Sequence, residues 1–137
     1  MKTKFSLLLI ILGSYFVSGQ EEAMTNLEIK KGMIKVAIFY ENGEDKTFDM
    51  DYYANKHMPM AARLFGDALK AMEINKGLAN AAPDKPLKYV AIGYFYFDNM
   101  EAFKNAMGPN SAKLKADVPN YTNIIPELQI SEVQTVR

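Results

Sequence analysis

The sequence predicts an α+β domain: one four-stranded antiparallel sheet with its helices on a single face. Three observations lead there. Segments alternating at period two, the mark of strands, occur at 33–40, 69–78, 88–97 and 126–133. Between the first and second of these, and between the third and fourth, apolar residues recur at intervals of three and four, the mark of helices with one buried side. The first and third strands are apolar on both faces, so each needs cover on both sides.

At 137 residues the chain holds one core and not two. Residues 1–19 read as a signal peptide: Lys2 and Lys4 form a basic start, the run from Phe5 to Leu12 is apolar apart from Ser6, and Val17-Ser18-Gly19 offers a small-residue exit before polar Gln20. That run is too short to span a bilayer. The expectation is an exported protein, periplasmic or extracellular, with no stable membrane insertion after cleavage. Residues 20–32 are then a polar tether, and 33–137 the folded domain. The absence of cysteine rules out disulfides, thiolate chemistry and a cysteine-linked lipid anchor.

Sixteen basic residues balance sixteen acidic ones, and loss of Lys2 and Lys4 with the leader leaves fourteen against sixteen. Nucleic-acid or anionic-membrane partners call for a basic surface and are not expected. Eight tyrosines and eight phenylalanines, with no tryptophan, suit a core and pockets lined by single rings.

Met33 to Tyr40 is the first strand, followed by a turn at Glu41 to Lys46 in which Asn42-Gly43 supplies positive backbone angles. Asp49 caps the first helix, Asp51 complements its dipole, and Phe48 with Tyr53 has the spacing of a hydrophobic staple. Met50, Tyr53, His57, Met60, Ala61 and Leu64 share one face, which directs His57 inward. Pro59 has no amide hydrogen for the Asn55 carbonyl, so the helix should kink or restart there. Gly66 ends it. Leu69 to Leu78 is the second strand, suited to an edge, and 79–87, with Pro83 and Pro86, is a long connection. Lys88 to Phe97 is the central strand. Asp98 or Asn99 caps a helix that Gly108 stops, Pro109-Asn110 opens a further one through Ala116, and a loop at 118–123 leads to the last strand, where Leu128 and Ile130 face one way.

This order, β-α-β-β-α-(α)-β, is the split βαβ or ferredoxin-like arrangement. Its helices cover one side only, leaving an apolar sheet face larger than soluble monomers usually expose. A homodimer through that sheet face, two sheets closing into a barrel, resolves the conflict.

The chain resembles the EthD family, named for ethyl tert-butyl ether degradation, within the dimeric α+β barrel superfamily. The resemblance runs from about Met33 to Val133. It rests on Ile34-Lys35-Val36 with Tyr40-x-Asn42-Gly43, on Phe48-Asp49-x-Asp51-Tyr52-Tyr53-x-x-x-His57-Met58-Pro59, on Tyr89 to Gly93, Met100 to Phe103, Asp117 to Asn123, and Gln129 to Val133. It implies a βαββαβ subunit, a dimeric α+β barrel, and a cleft between sheet and helices. It also implies either a place beside ether-degrading oxygenases or the dehydratase and decarboxylase chemistry of some similar fungal proteins. The leader sets this chain apart from cytoplasmic relatives that work beside electron-transfer partners. The matching site positions are His57, Tyr53 one turn before it, and Asn120 and Tyr121 in the Pro-Asn-Tyr-Thr loop.

Histidine is the side chain whose ordinary pKa lies near neutrality, and this chain has one. His57 is therefore the candidate acid or base, with Tyr53 to orient it or donate a proton, and Asn120 and Tyr121 as substrate-binding residues. The expected ligand is a small apolar or aromatic molecule, and the expected chemistry is cofactor-free proton transfer of isomerase, dehydratase or decarboxylase type. The alternative is a non-catalytic ligand-binding or structural dimer, with His57 a core residue satisfied by a tyrosine hydroxyl and a backbone carbonyl. Asp49 and Asp51 are explained by the helix start, so no metal site is expected, and the glycines have no phosphate-binding spacing. No cofactor is called for; a haem, held by distant members of the superfamily, would have His57 as its one candidate ligand.

Overall fold

In the computed structural model, which describes residues 28–137, strand β1 (Ile34–Glu41) leads through a loop into a broken helix. The helix has three parts: a short α-helix α1 (Met50–Tyr52), a π-helical turn (Tyr53–His57), and α2 (Met58–Phe65). A 3₁₀ turn, Gly66–Ala68, passes to β2 (Leu69–Lys76), followed by β3 (Tyr89–Phe97), α3 (Met100–Asp117), a second 3₁₀ turn (Val118–Asn120) and β4 (Glu127–Glu132). The leader at 1–19 and residues 20–27 of the tether lie outside the described residues.

The strands form one antiparallel sheet in the order β2-β3-β1-β4. This is the expected α+β, ferredoxin-like subunit, with β2 and β4 at the edges. One face carries Ile34, Val36, Ile38 and Tyr40 of β1 and Ala91, Phe95 and Phe97 of β3, packed on Tyr53, Met58, Ala61, Phe65, Phe103 and Ala106 of the helices. The helices sit over β2 and β3 and leave β4 largely uncovered. Leu128 and Ile130, opposite Ile38 and Val36, share the helix-bearing face but remain 55% and 45% exposed. On the opposite face lie Ala37, Phe39, Ile92, Tyr94 and Tyr96, where Lys35 sits 3.9 Å over the Tyr94 ring and the Tyr96 hydroxyl donates to Glu73 at 2.8 Å.

Local signals hold where they are local. The Asp49 side chain accepts from the Tyr52 amide at 2.9 Å, and the Phe48 and Tyr53 rings lie 5.1 Å apart. Asn99, rather than Asp98, caps α3, accepting from the Ala102 amide.

Two expectations change and one is extended. The residue with positive φ in the turn after β1 is Asp45, not Gly43. The helix restarts at Pro59 as expected, with the proline in the first turn of α2, and just upstream the chain widens into the π-helical turn, where the Met58 amide donates to the Tyr53 carbonyl. Gly108-Pro109 does not divide the second helix, since α3 runs unbroken through it. There the Asn110 side chain donates to the carbonyls of Ala106, at 2.8 Å, and Leu64, at 3.1 Å, tying α3 to the end of α2 at the point where proline weakens the ladder.

Candidate functional site

Between the helices and strands β1 and β4 lies a cavity of about 950 Å³. A volume of this order suits a small organic ligand. Its inner end is aromatic and buried: Tyr40, Tyr53 and Tyr121 are at most 3% exposed. The loop that delivers Tyr121 is stitched to the start of the first helix. The Asp49 amide donates to the Tyr121 carbonyl at 2.7 Å, the Thr122 hydroxyl to the Thr47 carbonyl at 2.7 Å, and the Asn123 amide group to the Asp45 carbonyl at 2.7 Å. These bonds hold the loop after α3 against the segment that enters α1.

His57 lines this cavity at the end of the π-helical turn and is 7% exposed. Its Nδ1 lies 2.8 Å from Oδ2 of Asp117, the last residue of α3. The other Asp117 oxygen accepts from the Tyr52 hydroxyl at 3.0 Å and from Asn120 Nδ2 at 2.9 Å. Burial pushes the Asp117 carboxyl upward, but the donors Asn120, His57 and Tyr52 outweigh it, and its pKa is held below the ordinary value. The carboxylate is therefore ionised at neutral pH although it stands at a helix C-terminus, where the dipole opposes negative charge. Asp117 is not among the cavity-lining residues and stands behind the imidazole. In the tautomer whose Nδ1–H donates to Asp117, Nε2 is the lone-pair nitrogen, and it has no hydrogen-bond partner among the described residues.

The four residues read from the sequence come together here, all lining the same cavity. Tyr53 stacks on His57, with ring centroids 5.6 Å apart and planes at 16°. Its hydroxyl does not bond the imidazole; it is buried without a hydrogen-bond partner among the described residues and packs on β3 where a side chain at position 93 would stand. Tyr121 packs its ring 4.6 Å from the imidazole, and its hydroxyl lies 2.7 Å from that of Tyr40. Asn120 lines the cavity while its side chain props Asp117. Burial, the leading cause at each, raises the pKa of the Tyr40, Tyr53 and Tyr121 phenols, so all three stay protonated.

Two site residues escaped the sequence reading. The partner of His57 is Asp117, not a tyrosine hydroxyl and a freed carbonyl. Its one signal was its place at the head of the Asp-Val-Pro-Asn-Tyr-Thr-Asn block. Strand alternation alone accounts for Tyr40 as a buried ring, yet its hydroxyl belongs to the cavity end. Among the described residues no cluster of three or more metal-ligating side chains occurs.

Comparison with known proteins agrees with this architecture. The EthD domain model matches residues 41–124. An EthD-like protein from Ralstonia eutropha JMP134 shares 42% identity, covers 79% of this chain and 97% of its own, and superposes with a TM-score of 0.73. An ethyl tert-butyl ether degradation (EthD) family protein from Bacillus halodurans C-125 shares 22% over 73% of this chain and 97% of its own, with a TM-score of 0.52. A variant of SnoaB, a cofactor-independent oxygenase from Streptomyces nogalater, shares 12% over 78% of this chain and 97% of its own, with a TM-score of 0.51, a likeness of fold. No curated protein is significantly similar to this chain. A model match over more than half of the sequence, joined to 42% identity along nearly the whole of a solved relative, makes this chain a member of the EthD domain family.

Proposed function

We propose that the protein binds a small apolar or aromatic molecule in the cavity between sheet and helices and moves a proton on it, without a cofactor, through His57. The observation that carries this reading is the 2.8 Å contact of His57 Nδ1 with Asp117, made by a histidine that also lines the cavity. A carboxylate behind an imidazole fixes its tautomer and stabilises the imidazolium formed when Nε2 takes a proton. Returning that proton to a second carbon isomerises the ligand. Giving it to a departing hydroxyl dehydrates it, and giving it to the carbanion left by carbon dioxide completes a decarboxylation. Tyr53 and Tyr121 flank the ring and confine its orientation.

The opposing reading, a ligand-binding or structural dimer without chemistry, is favoured by one fact: His57 is only 7% exposed. The two separate in a His57→Ala variant. Incubation with aryl ketones in deuterium oxide, followed by mass spectrometry, reads proton transfer directly. Catalysis requires a folded variant whose deuterium incorporation falls about 10²–10⁴-fold; unchanged incorporation by the folded variant contradicts it.

Two further elements belong to the same proposal. The protein works as a homodimer through the helix-free sheet face, because Ala37, Phe39, Ile92 and Tyr94 form an apolar surface that a second sheet covers. It works outside the cytoplasm after removal of residues 1–19; an intact leader on the protein recovered from its native host would contradict this.

A further inference from the structure

We infer that the ligand is a neutral, elongated molecule with a carbonyl oxygen at one end, seated against the Tyr40–Tyr121 hydroxyl pair, and an apolar body that leaves the cavity over Leu128 and Ile125. The inference rests on the reading of the cavity as a ligand site and adds the chemistry of its occupant. Three observations support it.

The first is a count of donors. The Tyr40 and Tyr121 hydroxyls share one hydrogen bond of 2.7 Å, so one of them donates and the other keeps a free O–H. The Tyr53 hydroxyl beside them is buried with no hydrogen-bond partner among the described residues. Joined in a linear chain of three, these hydroxyls would still leave one O–H over, because each neutral phenol brings one donor and a chain of three uses two. A buried donor left over in a cavity wall is completed by an acceptor on the ligand.

The second is charge. Asp49 and Lys115 line the cavity with opposite signs, and Asp117, behind His57, is matched to the imidazole. No net positive charge lines the cavity for an anion, so a neutral ligand favours isomerisation or dehydration over decarboxylation of a carboxylate.

The third is a gradient of exposure. Tyr121 at the inner end is 3% exposed, whereas Leu128 and Ile125, lining the same cavity, are 55% and 89% exposed. Edge strand β4 has little helix above it, so the apolar wall continues out of the cavity as an open lip. A short ligand would leave that lip wet; an alkyl or polycyclic body covers it. A carbonyl at the inner end also sets an acidic carbon near His57, where an adjacent O–H can bond the developing enolate oxygen.

The test is equilibrium binding, by calorimetry, of butyrophenone, octanophenone, octylbenzene and octanoate to the full protein and to Tyr121→Phe and Leu128→Ser variants, with melting curves to establish folding. Octanophenone should bind more tightly than butyrophenone, by up to about fourfold per added methylene, and Leu128→Ser should reduce that gain. Octylbenzene, without the acceptor, should bind at least about tenfold more weakly than octanophenone, and Tyr121→Phe should narrow the difference. Equal binding of octylbenzene and octanophenone, no gain with chain length, tighter binding of octanoate, or no binding of any ketone overturns the inference. None of these readouts depends on turnover, so failure of the His57 chemistry and failure of this ligand assignment are told apart.

Discussion

His57 and Asp117 are sixty positions apart in sequence and 2.8 Å apart in the fold. Asp117 stands behind the imidazole, accepts from Tyr52 and Asn120 as well, and does not reach the cavity. Its role in the proposed chemistry is positioning. An Asp117→Asn variant should fold, retain ligand affinity within about twofold, and lose proton transfer by about 10²-fold or more, since an amide neither fixes the tautomer nor offsets the imidazolium. A loss of binding with the turnover rate unchanged would count against it.

The same carboxylate predicts how stability responds to acid. Its folded pKa lies below the ordinary value of 3.8, because Asn120, His57 and Tyr52 donate to it against the opposing effect of burial. A depressed carboxylate pKa adds stability that is complete above the unfolded value and fades as pH falls below it. Wild type should therefore exceed Asp117→Asn in melting temperature at pH 5 to 7, with the difference shrinking once pH drops below about 3.8. A difference that grows as pH falls further below about 3.8 has the wrong sign.

Gly93 and Tyr53 are coupled through space. A Cβ at position 93 would collide with the Tyr53 hydroxyl, so Gly93→Ala should destabilise the fold by about 1–3 kcal/mol and shift the ring that stacks on His57. Tyr53→Phe removes a buried hydroxyl that has no hydrogen-bond partner among the described residues, and should be neutral or stabilising. Combining the two should recover much of the Gly93→Ala loss, and strict additivity in denaturant melts would contradict the packing argument.

The helix-free sheet face makes its own prediction. Ile92 pairs with Phe39 and Asn75 at the centre of that face. Ile92→Asp should convert a homodimer into a monomer by light scattering, with the cavity on the other face still intact to ligand. A wild-type chain that is monomeric at micromolar concentration would remove the dimer from the account.

What could be read from the sequence follows the range of each interaction. The Asp49 cap, the Phe48–Tyr53 staple and the alternation of Tyr89 to Phe97 depend on neighbours within a few positions, and they stand in the structure as read. Asp117 was not legible as a partner of His57, because an aspartate ending an amphipathic helix reads as solvated and nothing local ties it to position 57. Tyr40 was hidden for the opposite reason: alternation already explained a buried ring, and only the fold shows its hydroxyl meeting Tyr121. Gly108-Pro109 misled because the compensating bonds come from the side chain of Asn110, which a rule about backbone breakers does not consider.

The central claim is that Asp117 holds the proton on Nδ1 of His57 and leaves Nε2 free as the base. Because the chain has a single histidine, a long-range ¹H–¹⁵N correlation spectrum of the uniformly labelled, untagged protein contains one imidazole pattern. In the neutral ring that pattern should be the Nδ1–H tautomer, reverting to a mixture in Asp117→Asn. An Nε2–H tautomer in the wild type, or a pattern indifferent to Asp117→Asn, would contradict it.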